Sequence, residues 1–139
     1  MTLLDLPVST ILIACIAVAA VLVYAPFLVV AYARVKVGNF LASPRAMFDK
    51  LPDYAKRATW AHQNSFETFM LFAAAALTAY VTGQSSAVVA YLAIAFVVAR
   101  VFYSIFYILN IPLGRSLMFA TGSAATFTLF VLSFLSQIA

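Results

Sequence analysis

Four apolar stretches, at about 8–33, 55–81, 86–109 and 115–138, each reach or exceed the ~20 residues a helix needs to cross a bilayer. Hydrocarbon offers no partner for a backbone N–H or C=O, so runs of this length have one inexpensive form, the spanning helix whose bonds close on themselves. Four spans with short connections use up a chain of 139 residues and leave no length in it for a separate soluble domain. The composition agrees: 66% of residues are hydrophobic and 9% are charged, against about a quarter charged in soluble domains, and the mean hydropathy is +1.08. The expected fold is an all-α membrane protein, a four-transmembrane-helix bundle forming a single domain over 1–139.

The charge is distributed as a topology signal. A net charge of +4 with no basic helix and no aromatic platform outside the apolar runs does not describe a nucleic-acid-binding surface. The first ten residues carry Asp5 and neither Lys nor Arg, unlike a secretory leader, so 8–33 is expected to be a retained first helix. The first connection holds Arg34, Lys36, Arg45, Lys50, Lys56 and Arg57, and the second, near 82–86, holds no cation. By the positive-inside rule the 34–57 loop is cytoplasmic and both termini lie on the other side.

Punctuation within the runs is sparse. Pro26 is expected to kink the first helix, Pro44 and Pro52 interrupt the first loop, and Pro112 with Gly114 is expected to make the third turn. Small residues at 122–126 suit close helix contact inside a bundle or between subunits. The single Cys15, in an apolar run, is read as packing, and His62 as a packing or hydrogen-bonding residue. With no second His or Cys at ligand spacing, no metal site is expected.

Ionisable residues at membrane depth carry the functional signal, because each costs several kcal/mol unless paired or turned to a polar cavity. Glu67 and Arg100 both lie roughly 15 Å from the loop ends of neighbouring antiparallel helices, which predicts an ion pair between them. Arg57, Trp60, Asn64 and Glu67 recur at spacings of three and four, as do Arg100, Tyr103 and Tyr107, so each set shares one helix face. Together they predict a polar wall leading to a mouth rimmed by Arg34, Arg57 and Arg115, attractive to an anion.

The run Arg57-Ala-Thr-Trp-Ala-His-Gln-Asn64-Ser-Phe-Glu67, then Arg100-Val-Phe-Tyr103-Ser-Ile-Phe-Tyr107, then Arg115, resembles the MAPEG family, the membrane-associated proteins in eicosanoid and glutathione metabolism. The similarity extends over the whole chain, in helix number, length and the order of the motif blocks. The resemblance implies a homotrimer that binds glutathione at subunit interfaces and acts as a transferase or peroxidase on lipophilic small-molecule electrophiles drawn from the membrane. It implies that Arg34, Asn64, Glu67, Tyr103 and Tyr107 hold glutathione and that Arg115 is catalytic, stabilising the thiolate; Arg57, one turn from Trp60, and Arg100, on the same polar wall, are read from their positions as further binding residues. A neighbouring guanidinium lowers a thiol's pKa and so enriches the nucleophile. For a bacterial-type member the implied location is the inner membrane, in contact with its lipids.

The chain departs from the eicosanoid enzymes at Trp60 and Gln63, where relatives carry arginines, which implies weaker glutathione binding here. A competing reading is a non-catalytic trimer that takes a lipid or another anion in the same interhelical pocket. A proton-coupled exporter is disfavoured, since Glu67 shares its face with Asn64 and has Arg100 to neutralise it. The orientation is directly testable: cysteine substituted at Ser43 should be labelled from the cytoplasmic side and cysteine at Ser85 from the opposite side. Labelling of position 43 from outside would reverse the topology.

Overall fold

The computed structural model describes residues 6–38 and 43–138. Among the described residues the regular elements are all helices: α1 (Val8–Val37), a one-turn 3₁₀ helix (Phe48–Lys50), α2 (Asp53–Val81), α3 (Ala87–Ile108) and α4 (Pro112–Ile138). The four long helices fall within four residues of the expected limits. α1 runs furthest past expectation because Arg34 and Lys36 favour the carbonyl end of a helix; Gly38, with φ of 82°, ends it.

α1, α3 and α4 are each long and apolar enough to cross a membrane. α2 matches them in length at 29 residues but carries Lys56, Arg57, His62, Asn64 and Glu67. It can sit at membrane depth only where protein covers those groups.

The short turns close by backbone chemistry. At the end of α2 the N–H of Gln84 donates to Ala79 O (3.0 Å) and that of Gly83 to Tyr80 O (3.1 Å), with Gly83 at φ 70°. The end of α3 repeats this pair of bonds, Ile111 to Phe106 O (2.8 Å) and Asn110 to Tyr107 O (3.1 Å), with Asn110 at φ 59°. The third turn is therefore made by Asn110, and Gly114, expected to help form it, is helical instead. Its function there is steric: a Cβ on Gly114 would stand 2.7 Å from the Phe106 ring. Pro112 starts α4, where a missing N–H costs nothing.

α2 and α3 each pack against all the other helices, while α1 and α4 flank them with little mutual contact. Small residues permit this closeness. Ala55 and Ala58 of α2 are buried with Val30 and Ala33 of α1, and Ala75, Ala76 and Ala79 share the main core with Ala90 and Ala93 of α3. Between them Phe72 and Phe96 stack with ring centroids 3.9 Å apart. Gly122, Ala125 and Thr126 bury the small-residue face of α4, and Cys15 is buried among core residues of α1.

Pro26 lacks the N–H that the carbonyl four residues earlier would accept. One residue on, the Val23 carbonyl accepts a hydrogen bond at 2.7 Å from Nδ1 of His62 on α2, so that nitrogen carries the proton. Tyr24, Phe27 and Phe66 surround the imidazole. His62 thus ties α2 to the proline-bearing turn of α1.

Trp60, Gln63, Glu67, Met70, Ala74, Leu77 and Val81 are all exposed on the single chain. Their spacing alternates three and four without a break, the pattern by which one helix presents a seam to another.

Candidate functional site

The polar residues of α3 and α4 form a column. Arg100, only 5% exposed, donates from Nη2 to Oγ of Ser65 on α2 at 2.9 Å. Its guanidinium carbon lies 3.9 Å from the centroid of the Tyr103 ring. One turn nearer the loop end, Tyr103 meets Tyr107 edge-on with centroids 5.5 Å apart, and Phe119 of α4 closes the side at 6.4 Å. Arg115 completes the column, its guanidinium carbon 4.8 Å from the Tyr107 centroid. Positions 100, 103 and 107 share a face because three and four residues make about one turn. Arg115 returns onto Tyr107 because the Asn110 turn reverses the chain immediately after α3. A cation over an aromatic face is worth about 2 kcal/mol when desolvated and about 0.5–1 kcal/mol when exposed, so the buried Arg100–Tyr103 contact holds more firmly than the half-buried Arg115–Tyr107 one.

The predicted pair of Glu67 with Arg100 does not form within the subunit. Matching depth is not matching direction: residues 65 and 67 are about 200° apart around a helix. Ser65 faces Arg100, and Glu67 is exposed on the outer seam. Arg57 donates from Nε to the Ile108 carbonyl at 2.9 Å, capping the end of α3 and leaving its terminal nitrogens for other partners. Asn64, half-buried, has its Oδ1 enclosed without a hydrogen-bond partner. Arg34 lies elsewhere, lining a cavity between α1 and α2. The single chain therefore unites Arg100, Tyr103, Tyr107 and Arg115, with Arg57 at the adjoining helix end, and leaves Arg34 and Glu67 outside the column.

Trp60 packs on Phe48 of the 3₁₀ turn with centroids 5.8 Å apart and so fastens the first loop to α2. Sequence reasoning missed Ser65 and Phe119. Ser65 was detectable in principle, since it continues the Ala55, Ala58, Ala61 stripe as the one polar member of a buried series.

A family model described as MAPEG family matches the chain over residues 11–135. Comparisons with curated proteins and with solved structures return no match.

The column makes Ser65 and not Glu67 the support of the buried cation. Ser65→Ala should lower unfolding stability by roughly 1.5–3 kcal/mol, the range for a hydrogen bond to a charged group. Glu67→Gln, which removes no contact seen within the chain, should change it by less than Ser65→Ala does. Denaturant titration in mixed micelles reads both, and a reversed order would return Glu67 to Arg100.

Proposed function

The chain belongs to the MAPEG family, and from that premise we propose that it is a glutathione-dependent integral membrane enzyme, a transferase or peroxidase acting on lipophilic electrophiles. The observation that carries this reading is the column of two guanidiniums on two tyrosine rings, which ends with Arg115 beside the α3–α4 turn.

The residues present suit the tripeptide. The enclosed, unpartnered Oδ1 of Asn64 is an acceptor for an N–H of glutathione. Tyr103 and Tyr107 offer hydroxyl donors to its carbonyl and carboxylate oxygens. When bound, glutathione supplies the nucleophilic sulfur. Arg115 acts on that sulfur: its cation favours the thiolate over the thiol, and the Tyr107 ring face keeps the guanidinium in place. Arg100, anchored by Ser65 and Tyr103, orients Tyr103 and adds positive potential beneath the anion. In a transfer the bound thiolate would supply the electron pair for a new sulfur–carbon bond as the electrophile's leaving group departed, the thiol proton having passed to solvent, and Arg115 would hold the sulfur's negative charge until then.

The assembly follows from α2. Gln63 and Glu67 lie in the exposed seam at depths where lipid cannot accommodate them cheaply, and the alternating spacing suits packing against the same seam of other copies. We read the functional unit as a homotrimer joined through α2. In it Arg34 and Glu67, outside the column of their own subunit, are available to a neighbour's glutathione. The protein then sits in the bacterial inner membrane with its 34–57 loop in the cytoplasm, where glutathione is available.

Calorimetry of glutathione binding to the detergent-solubilised protein tests the reading at its base. For Arg115→Ala the expected result is a fall in kcat of about a hundredfold with a smaller change in glutathione affinity, the pattern of an interaction that matters mainly in the thiolate and transition state. A loss of affinity with no turnover in either protein would leave anion binding alone. The seam has its own measurement: Leu77→Arg should convert the trimer to smaller species in native mass spectrometry, and a trimer that persisted would remove α2 from the interface.

A further inference from the structure

A small void lies where α1, α2 and α3 meet, lined by Leu22 and Val23 of the first, Ser65 and Phe69 of the second, and Phe96 and Arg100 of the third. Its volume is about 10 Å³, room for one water and for nothing larger. It shares no lining residue with the cavity at Arg34.

A void with a wholly apolar lining stays dry, but three polar groups set this one apart. Arg100, 5% exposed, has five N–H donors and spends one of them on Oγ of Ser65. Ser65, equally enclosed, accepts that bond, while its own O–H reaches no acceptor among the described residues. Buried hydroxyls elsewhere in the bundle do find one: Thr126 donates to the Gly122 carbonyl at 3.0 Å and Ser133 to that of Leu129 at 2.7 Å. The third group is the Leu22 carbonyl. In an α-helix it would accept from the N–H of residue 26, and residue 26 is proline. His62 serves the next carbonyl, that of Val23, and not this one. A hydroxyl donor, a carbonyl acceptor and a guanidinium with donors to spare thus belong to residues around one water-sized space, at a depth where unmet polar groups are expensive.

We propose that this void holds one structural water, which accepts from the Ser65 hydroxyl and from an N–H of Arg100 and donates to the Leu22 carbonyl. Three hydrogen bonds are the usual complement of a buried water. Pro26 then has a consequence beyond bending α1: by withholding a helix donor it supplies the acceptor that links α1 to Arg100. The buried guanidinium is tied through Ser65 to α2 and through the water to α1. The site stands whether or not the Tyr103–Arg115 column binds glutathione.

A structure of the full chain in lipid, by crystallography or electron cryo-microscopy at a resolution that shows ordered water, tests the site directly. Density is expected in the void within about 3 Å of both Ser65 Oγ and the Leu22 carbonyl oxygen. Absence of that density, or a direct Ser65–Leu22 hydrogen bond in its place, would overturn the proposal. A double-mutant cycle tests the link in solution. Pro26→Ala restores an N–H to the Leu22 carbonyl and so removes the water's acceptor, and alanine is a good helix former, so the fold is not at risk. The effect of Ser65→Ala on the unfolding equilibrium constant should be about fivefold smaller in the Pro26→Ala background than in the unsubstituted protein. Equal effects in the two backgrounds would show that the positions are not joined and would remove the water as their bridge.

Discussion

A guanidinium carried into the interior of a helix bundle at membrane depth must find its partners within the protein, and the arrangement around Arg100 follows from that demand. Its hydrogen bond to Ser65 requires α2 and α3 to lie close, which the alanine faces of both helices permit. Its aromatic partner Tyr103 is one turn along the same helix and passes the contact to Tyr107, on which Arg115 rests. The column is a way of housing positive charge in a low dielectric with aromatic faces and a hydroxyl. Among the described residues no carboxylate joins the column, so its positive potential is not cancelled there.

α2 resolves a second conflict. It has the length of a span and the polarity of a surface helix, and its two faces divide the burden. One face, nearly all alanine, makes the interior of the subunit. The other bears an unbroken stripe from Trp60 to Val81 with Gln63 and Glu67 in its membrane-depth portion. The same helix joins the subunit to the proline-bearing turn of α1 through His62, so the one histidine serves the backbone of a neighbour.

Much of the fold was legible in the sequence because span length and loop charge are one-dimensional properties. Helix number, limits to within four residues, the burial of Cys15 and the packing face around Gly122 all follow from runs and spacings. The column was legible for Arg100, Tyr103 and Tyr107, which share one helix and therefore one face. Across helices the reading was poorer. Glu67 was matched to Arg100 by depth, yet rotation about α2 turns Ser65 inward and Glu67 outward. The sequence points to Pro112 with Gly114 for the third turn, whereas Asn110 makes it, since an asparagine's tolerance of positive φ is a weaker signal than a glycine.

The sequence alone determined that this protein is a bundle of spanning helices with its cations gathered at one end, because burial of apolar length in lipid and the periodicity of a single helix need no knowledge of neighbours. Only the tertiary structure decided which polar groups meet. The Ser65 partner of Arg100, the return of Arg115 onto Tyr107, the capping of α3 by Arg57 and the separation of Arg34 into its own cavity depend on how the helices are rotated about their axes and how the turns join them. Rotation is set by the packing of small against large side chains across interfaces, a property of pairs of helices that no single run of residues contains.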